Sequence, residues 1–205
     1  MEERYCCIVG AGERTAALPR TGPGDLLVAA DGGFAWLEAL GLRPDLVVGD
    51  FDSMEPPSSR PDAVRLPKEK DETDTMAALR LGRERGYRNF RIYGGTGGRF
   101  DHTLANLQIL AWLARRGERG WLYGAGWTAT AIMDGVLDFG AEHRGMISVF
   151  AHSDEALGVD LEGLKYPLRN AALENTFALG VSNEFTGVPA RVSVRRGTLL
   201  VLWQN

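Results

Sequence analysis

Short apolar runs that end in glycine or aspartate set the rhythm of the first half of the chain. YCCIVGAG from Tyr5, LLVAADGG from Leu26, LVVGDFDS from Leu46 and FRIYGGTGG from Phe90 repeat one phrase, and WLYGAG from Trp121 is a weaker fifth. Between them lie segments with helical spacing. FAWLEALG follows the second run, and TDTMAALRLGRERG carries Met76, Leu79 and the Ala77/Ala78 pair with Gly86 as its stop. HTLANLQILAWLARRG places Leu104, Leu107 and Ala111 on one stripe and closes on Arg115, Arg116 and Gly117, a C-terminal signal. Continuous apolar runs that alternate with helices predict a mostly parallel sheet flanked by helices.

The texture changes near Gly124. TATAIMDG, MISVFAHS, GVDLEG, LKYPLRN, ARVSVRRG and LLVLWQ are short, several alternate with period two, and no long amphipathic helix separates them. The expected architecture is an α/β domain over 1–124 followed by a smaller antiparallel β-sandwich over 125–205. Composition adds exclusions. A formal net charge of −4 over 205 residues argues against a general nucleic-acid surface. Cys6 and Cys7 are adjacent, so in a strand they face opposite ways and make neither a disulfide nor a metal pair. The absence of a signal pattern or an apolar run near ~18 residues points to a cytoplasmic protein away from membranes.

Open α/β sheets bind ligands at the carboxyl ends of their strands, and here that edge collects chemistry. It holds Asp31 and Gly32 of ADGG, Asp50 and Asp52 of GDFDS, and the loop GGTGGRFDH from Gly94 to His102. KEKDETDTM adds Asp71 and Asp74 at the start of a helix. The glycine-rich loop (Gly95, Thr96, Gly97, Gly98) offers backbone N–H groups to phosphate oxygens, and Arg99 adds a planar fork. A polyphosphate beside several aspartates is repelled, by about 1 kcal/mol per pair at 4 Å in water and roughly 4 at an intermediate dielectric. A divalent cation reverses those signs, and hard oxygen donors without a His or Cys cluster favour Mg²⁺. Asp50 and Asp52 are two apart on an extended segment, so both can approach one metal. GAGERTA from Gly10 lacks the third glycine of a dinucleotide fingerprint and reads as a turn, and no GKS or GKT follows any glycine loop.

ADGG, GDFDS, KDETDT, GGTGGRFDH and, in the second half, GLKYPL followed by GVSNEF together resemble the thiamine pyrophosphokinase family, in order from Asp31 to Phe185. The resemblance implies an α/β domain followed by a β-sandwich, a homodimer, and transfer of the terminal pyrophosphate of ATP to the hydroxyl of thiamine with release of AMP. It implies a magnesium site at Asp50, Asp52 and Asp74 with Asp71 beside them, and an ATP-phosphate cradle in Gly94–His102 that includes Asp101 and His102. Arg99 would act on the transferred group. Ser182 and Asn183 match the segment that helps form the thiamine pocket, which in this family lies between subunits. Trp203 has two readings, a stack on thiamine or packing within the sandwich. One aspartate of the Asp50/Asp52 pair would take the hydroxyl proton, which of the two being open. Three alternatives are compatible with the same residues: a pyrophosphokinase for a hydroxymethyl pterin, a non-catalytic nucleotide or thiamine sensor, and a metal phosphohydrolase.

Overall fold

The computed structural model describes residues 3–17, 19–49, 63–65 and 71–205. They fall into two compact units, Met1–Asn106 with Leu122–Ala125, and Leu107–Trp121 with Gly126–Asn205.

The first unit carries the parallel sheet. Its strands are β1 (Tyr5–Val9), β2 (Leu26–Ala30), β3 (Leu46–Gly49), β4 (Ala63–Arg65) and β5 (Asn89–Tyr93), in the spatial order β5-β1-β2-β3-β4 with every pair parallel. The short β4 gave no hydrophobic signal in the sequence; at three residues it is an edge strand. Helix α1 (Gly33–Ala39) lays Trp36 and Leu37 against Cys7, Val9, Leu27 and Ala29 on one face of the sheet. Helix α2 (Asp74–Glu84) covers the other face with Ala77, Ala78, Leu79 and Gly82. Gly82 is required there, because a Cβ would stand 2.7 Å from the Cys6 sulfur and 3.2 Å from the Phe90 ring. Cys6 thus faces α2 and Cys7 faces α1, both fully buried and free, as alternation along a strand demands.

Helix α3 (Phe100–Ala114) belongs to the first unit up to Asn106 and to the second from Leu107, and strand β6 (Arg119–Gly124) to the second up to Trp121 and to the first from Leu122. The stripe expected on α3 is corrected in part by the structure. Leu104 is half exposed and Leu107 partly buried, whereas Ala111 is buried as expected, together with Asn106, Ile109, Leu110 and Leu113. The helix is apolar nearly all round, so its periodicity did not single out one face.

The second unit is a β-sandwich. One antiparallel ladder runs β12 (Gly180–Glu184), β9 (Met146–Ala151), β14 (Thr198–Gln204), β7 (Trp127–Met133), and a four-stranded sheet runs β11 (Leu168–Glu174), β10 (Glu155–Glu162), β13 (Ala190–Arg196), β8 (Val136–Phe139). Val149, Val201, Val159, Val192 and Leu173 fill the space between them, with Phe139 edge-on to Phe185 and Trp203. LKYPLRN is not one strand. β11 begins only at Leu168, and Leu164 makes an isolated bridge to Phe185, since Pro167 lacks the N–H a continuous ladder needs.

Candidate active site

The strand order places β1 between β2 and β5, so the chain leaves β1 toward one side while β5 lies on the other. The carboxyl ends of β1 and β5 therefore frame a topological switch point, the usual ligand crevice of an open α/β sheet. Two glycine-bearing segments meet there. Gly10 N–H donates to Tyr93 O at 2.8 Å, Gly12 N–H to Gly94 O at 2.8 Å, and Glu13 N–H to Thr96 O at 2.6 Å. Residues 10–13 thus form a strap that pairs with the loop through main-chain bonds. The contact is closer than side chains allow. A Cβ on Gly10 would come within 2.7 Å of Gly94 O, and one on Gly12 would strike the carbonyl oxygens of both Thr96 and Gly94. Gly94, Gly97 and Gly98 all take left-handed φ, +60°, +78° and +59°, which only glycine adopts without strain.

The crevice between strap and loop measures about 300 Å³ and is lined by Ala11, Gly12, Asp31, Thr75, the loop itself, His102 and Asn106. Thr96 lies inside it, and its buried hydroxyl has no hydrogen-bond partner among the described residues. A buried hydroxyl without a partner is costly, so the site is built for a ligand that supplies an acceptor or donor. Asn106, buried on α3, donates from Nδ2 to Gly95 O at 2.7 Å and holds the loop from below. Arg99 stands at the mouth with its side chain 71% exposed, its Nη2 and Nε donating to the Asp101 carboxylate at 2.6 and 3.2 Å. That fork lowers the Asp101 carboxyl below the ordinary carboxylate range. Asp101 also accepts from His102 N–H at 3.0 Å, which fixes the first turn of α3 beside the loop. The guanidinium keeps further N–H donors for an anion in the crevice.

The carboxylates expected at this edge divide into two sets. Asp31 lines the crevice in a left-handed conformation (φ +50°), and its N–H donates to Val48 O at 2.8 Å, pinning the end of β2 to that of β3. Asp74 opens α2, where capping is done by the Thr73 hydroxyl, which accepts from Met76 N–H at 3.2 Å. The capping role thus falls to Thr73, and Thr75 next to Asp74 reaches the crevice lining. Asp71 is exposed just before this turn. Asp50 and Asp52 lie outside the described residues; the last described residue before them is Gly49, which ends β3. Among the described residues no three His, Cys, Asp or Glu side chains stand close enough to hold a metal ion.

In the sandwich, Ser182 and Asn183 lie on β12 beside a cavity of about 160 Å³ lined with Leu161, Tyr166 and Leu179. Ser182 adopts φ +59°, which turns the strand locally. Asn183 is buried: its Oδ1 accepts from Tyr166 N–H and Glu184 N–H, both at 2.9 Å, and its Nδ2 donates to Tyr166 O at 2.7 Å. It therefore clamps the GLKYPL segment to β12 and, as a lining residue, shapes the cavity, with one Nδ2 hydrogen left beyond these three bonds. Asn183→Ala is expected to lose about 1–3 kcal/mol of stability, because three main-chain groups lose a partner in a partly buried setting; chemical denaturation measures it. Trp203 sits partly buried on β14, edge-on to Phe139 at 5.2 Å between ring centroids.

Two parts of the crevice escaped the sequence reading. GAGERTA read as a plain turn, whereas Gly10 and Gly12 are half of the main-chain clasp. Asn106 read as one more helical position; a lone carboxamide on a face otherwise made of Ile109, Leu110 and Leu113 was the available signal.

Comparison with known proteins bears on both units. Residues 23–121 match the family model described as thiamin pyrophosphokinase, catalytic domain, and residues 138–199 match thiamin pyrophosphokinase, vitamin B1 binding domain. A thiamine pyrophosphokinase of Bacillus subtilis is 29% identical over 95% of this chain and 96% of its own. The crystal structure of a Bacillus subtilis thiamine pyrophosphokinase superposes with a TM-score of 0.86 at 27% identity, covering 98% of this chain and 99% of that one. A Geobacillus thermodenitrificans thiamin pyrophosphokinase gives 0.82 at 29% identity over 98% and 97%. A Candida albicans thiamin pyrophosphokinase, only 15% identical, shares the fold at 0.79 over 99% and 90%.

Proposed function

The chain belongs to the thiamine pyrophosphokinase family, and from that premise we propose how its own residues carry out the reaction. The protein is an ATP-dependent pyrophosphotransferase that makes thiamine diphosphate and AMP. The observation that carries the assignment to this crevice is the clasp of strap and loop at the switch point, with the partnerless Thr96 hydroxyl inside it.

The hydroxyethyl oxygen of thiamine attacks the β-phosphorus of ATP in line. The new O–P bond forms as the bond from the β-phosphorus to the α-phosphate oxygen breaks, and AMP leaves with that oxygen. Loop N–H groups of Gly95–Gly98 and the Thr96 hydroxyl hold phosphate oxygens, and fixed donors of this kind act without reorganising during the reaction. Arg99 swings from Asp101 onto the transferred group as charge builds there. The hydroxyl proton passes late in the transfer to the carboxylate of Asp50 or Asp52.

The donor set fits magnesium. The described carboxylates at this edge, Asp31, Asp71 and Asp74, are hard oxygen ligands, and a crevice that joins Asp31 to a phosphate cradle needs a cation to offset their repulsion. Asp50, Asp52 and Asp74, with Asp71 beside them, would hold Mg²⁺, which when bound neutralises phosphate charge. Thiamine is held by the segment of Ser182 and Asn183. The working form is a homodimer, a reading supported by the half-exposed apolar side chains Leu179 and Val181 next to that segment, and its place is the cytoplasm.

An AMP-release assay with and without thiamine tests the reading. AMP and thiamine diphosphate should appear together, and only when thiamine is present. Phosphate released without thiamine would make the protein a hydrolase. Thermal stabilisation by thiamine with no AMP would make it a sensor. Transfer to a hydroxymethyl pterin in preference to thiamine would overturn the substrate, against the match of residues 138–199.

A further inference from the structure

A second cavity of about 580 Å³ opens in the first unit and shares no lining residue with the crevice. Its origin lies in the topology. α2 packs on the Cys6 and Phe90 side of the sheet, and α1 on the Cys7 side packs against β1 and β2. The described residues that line the cavity before β2, Ala16, Ala17, Pro19 and Arg20, belong to no helix or strand. That chain is anchored by its backbone: the Cys7 thiol and Arg91 Nη1 both donate to Arg20 O, each at 3.4 Å. The Arg20 side chain is left on the rim of the cavity.

The floor is aromatic. Tyr93 and Tyr123 stack with centroids 4.6 Å apart and planes 9° from parallel. Leu40 and Leu42 form an apolar wall, and Arg20 and Arg91 supply two guanidinium groups. Among the described residues no carboxylate lines the cavity, although the chain as a whole carries −4. Arg91 rests over the Tyr5 ring at 3.6 Å. Burial raises the hydroxyls of both Tyr93 and Tyr123, so each is a neutral donor near pH 7. A cation such as thiamine is repelled here, whereas a flat ring with an anionic tail matches wall, floor and charge together.

We propose that this cleft is a second ligand site, separate from the crevice, for a planar heteroaromatic ring bearing phosphate, the ring against Leu40, Leu42 and the tyrosine pair, the phosphate on Arg20 and Arg91. Both products of the assigned reaction have that chemistry, so the choice of probes rests on that reading, while the test measures binding without turnover. Isothermal titration of the full chain with AMP, and separately with thiamine diphosphate, is done on the native protein and on Arg20→Ala, Arg91→Gln and Arg99→Ala. At least one probe should show two classes of site. Arg20→Ala and Arg91→Gln should each weaken one class by about tenfold, the usual effect of losing a charge-assisted contact, and leave the other class intact. Arg99→Ala should do the reverse. The probe that fills the cleft identifies the source. Arg20 is exposed, so Arg20→Ala carries the test even where Arg91→Gln fails to fold. A single class of site for both probes overturns the proposal, as does a loss in Arg20→Ala that falls on the class sensitive to Arg99→Ala.

Discussion

Asp52→Asn and Asp74→Asn are each expected to lower kcat/KM for AMP release by about a hundredfold or more, with the protein still folded by circular dichroism. The reason is electrostatic. In the proposed site ATP would bring several negative oxygens to a crevice lined by Asp31, with Asp74 next to the lining Thr75 and Asp71, Asp50 and Asp52 near in sequence. Each like-charge pair at 4 Å costs roughly 4 kcal/mol at an intermediate dielectric. A few such pairs outweigh every hydrogen bond the loop offers, at about 1.5–3 kcal/mol for one to a charged group. Only carboxylates that share a cation make the edge attractive to phosphate, and an amide keeps the shape while removing the charge. The two roles separate by titration. A lost metal ligand raises the magnesium concentration needed for half-maximal rate, and excess magnesium restores part of the activity. A lost base lowers kcat and responds to no amount of magnesium. Asp74→Asn should show the first pattern, and its helix should persist because Thr73 supplies the cap. Near-normal turnover in both variants would remove the acidic edge from the mechanism.

The parts of this site legible in the sequence were those whose chemistry is written in side chains. Asp31 and the GGTGG loop were visible because carboxylates and glycines after apolar runs have few structural reasons to gather, and both line the crevice. α1 and α2 were visible because apolar spacing and a glycine stop agree, and α3 because a long apolar-rich segment closes on Arg115, Arg116 and Gly117. What stayed hidden was written in the backbone or in tertiary context. Gly10 and Gly12 act through main-chain bonds to a loop more than 80 residues away, and no local pattern carries that pairing. The bonds of Asn183 to Tyr166 and Glu184 were hidden for the same reason, since that partnership is set by the sandwich register. β8 and β12 escaped because their exposed Val136 and Val181 blur the period-two pattern.

Gly12→Ala is expected to reduce turnover by about a hundredfold while leaving the fold in place. The added methyl would meet the carbonyl oxygens of Thr96 and Gly94, the latter at 2.6 Å. Neither is a flexible side-chain end, so strap and loop must separate, and a displacement near 1 Å at a positioning element costs on the order of a hundredfold in rate. Two main-chain bonds, Gly12 N–H to Gly94 O and Glu13 N–H to Thr96 O, lengthen together. Thr96, whose hydroxyl awaits a partner in the crevice, moves with them. The stability cost should be only about 1–3 kcal/mol, the usual range for one added methyl in tight packing. Gly98→Ala provides the contrast. Nothing lies within 4 Å of its Cβ position, so the penalty there comes from the left-handed φ of +59° alone, about 1–2 kcal/mol of strain. Gly12→Ala should therefore be the worse enzyme at similar stability, and kinetics beside thermal melts of the two variants decide it. Equal activities would mean that the clasp only holds the fold; a selective loss in Gly12→Ala assigns to the strap the alignment of phosphate in the crevice.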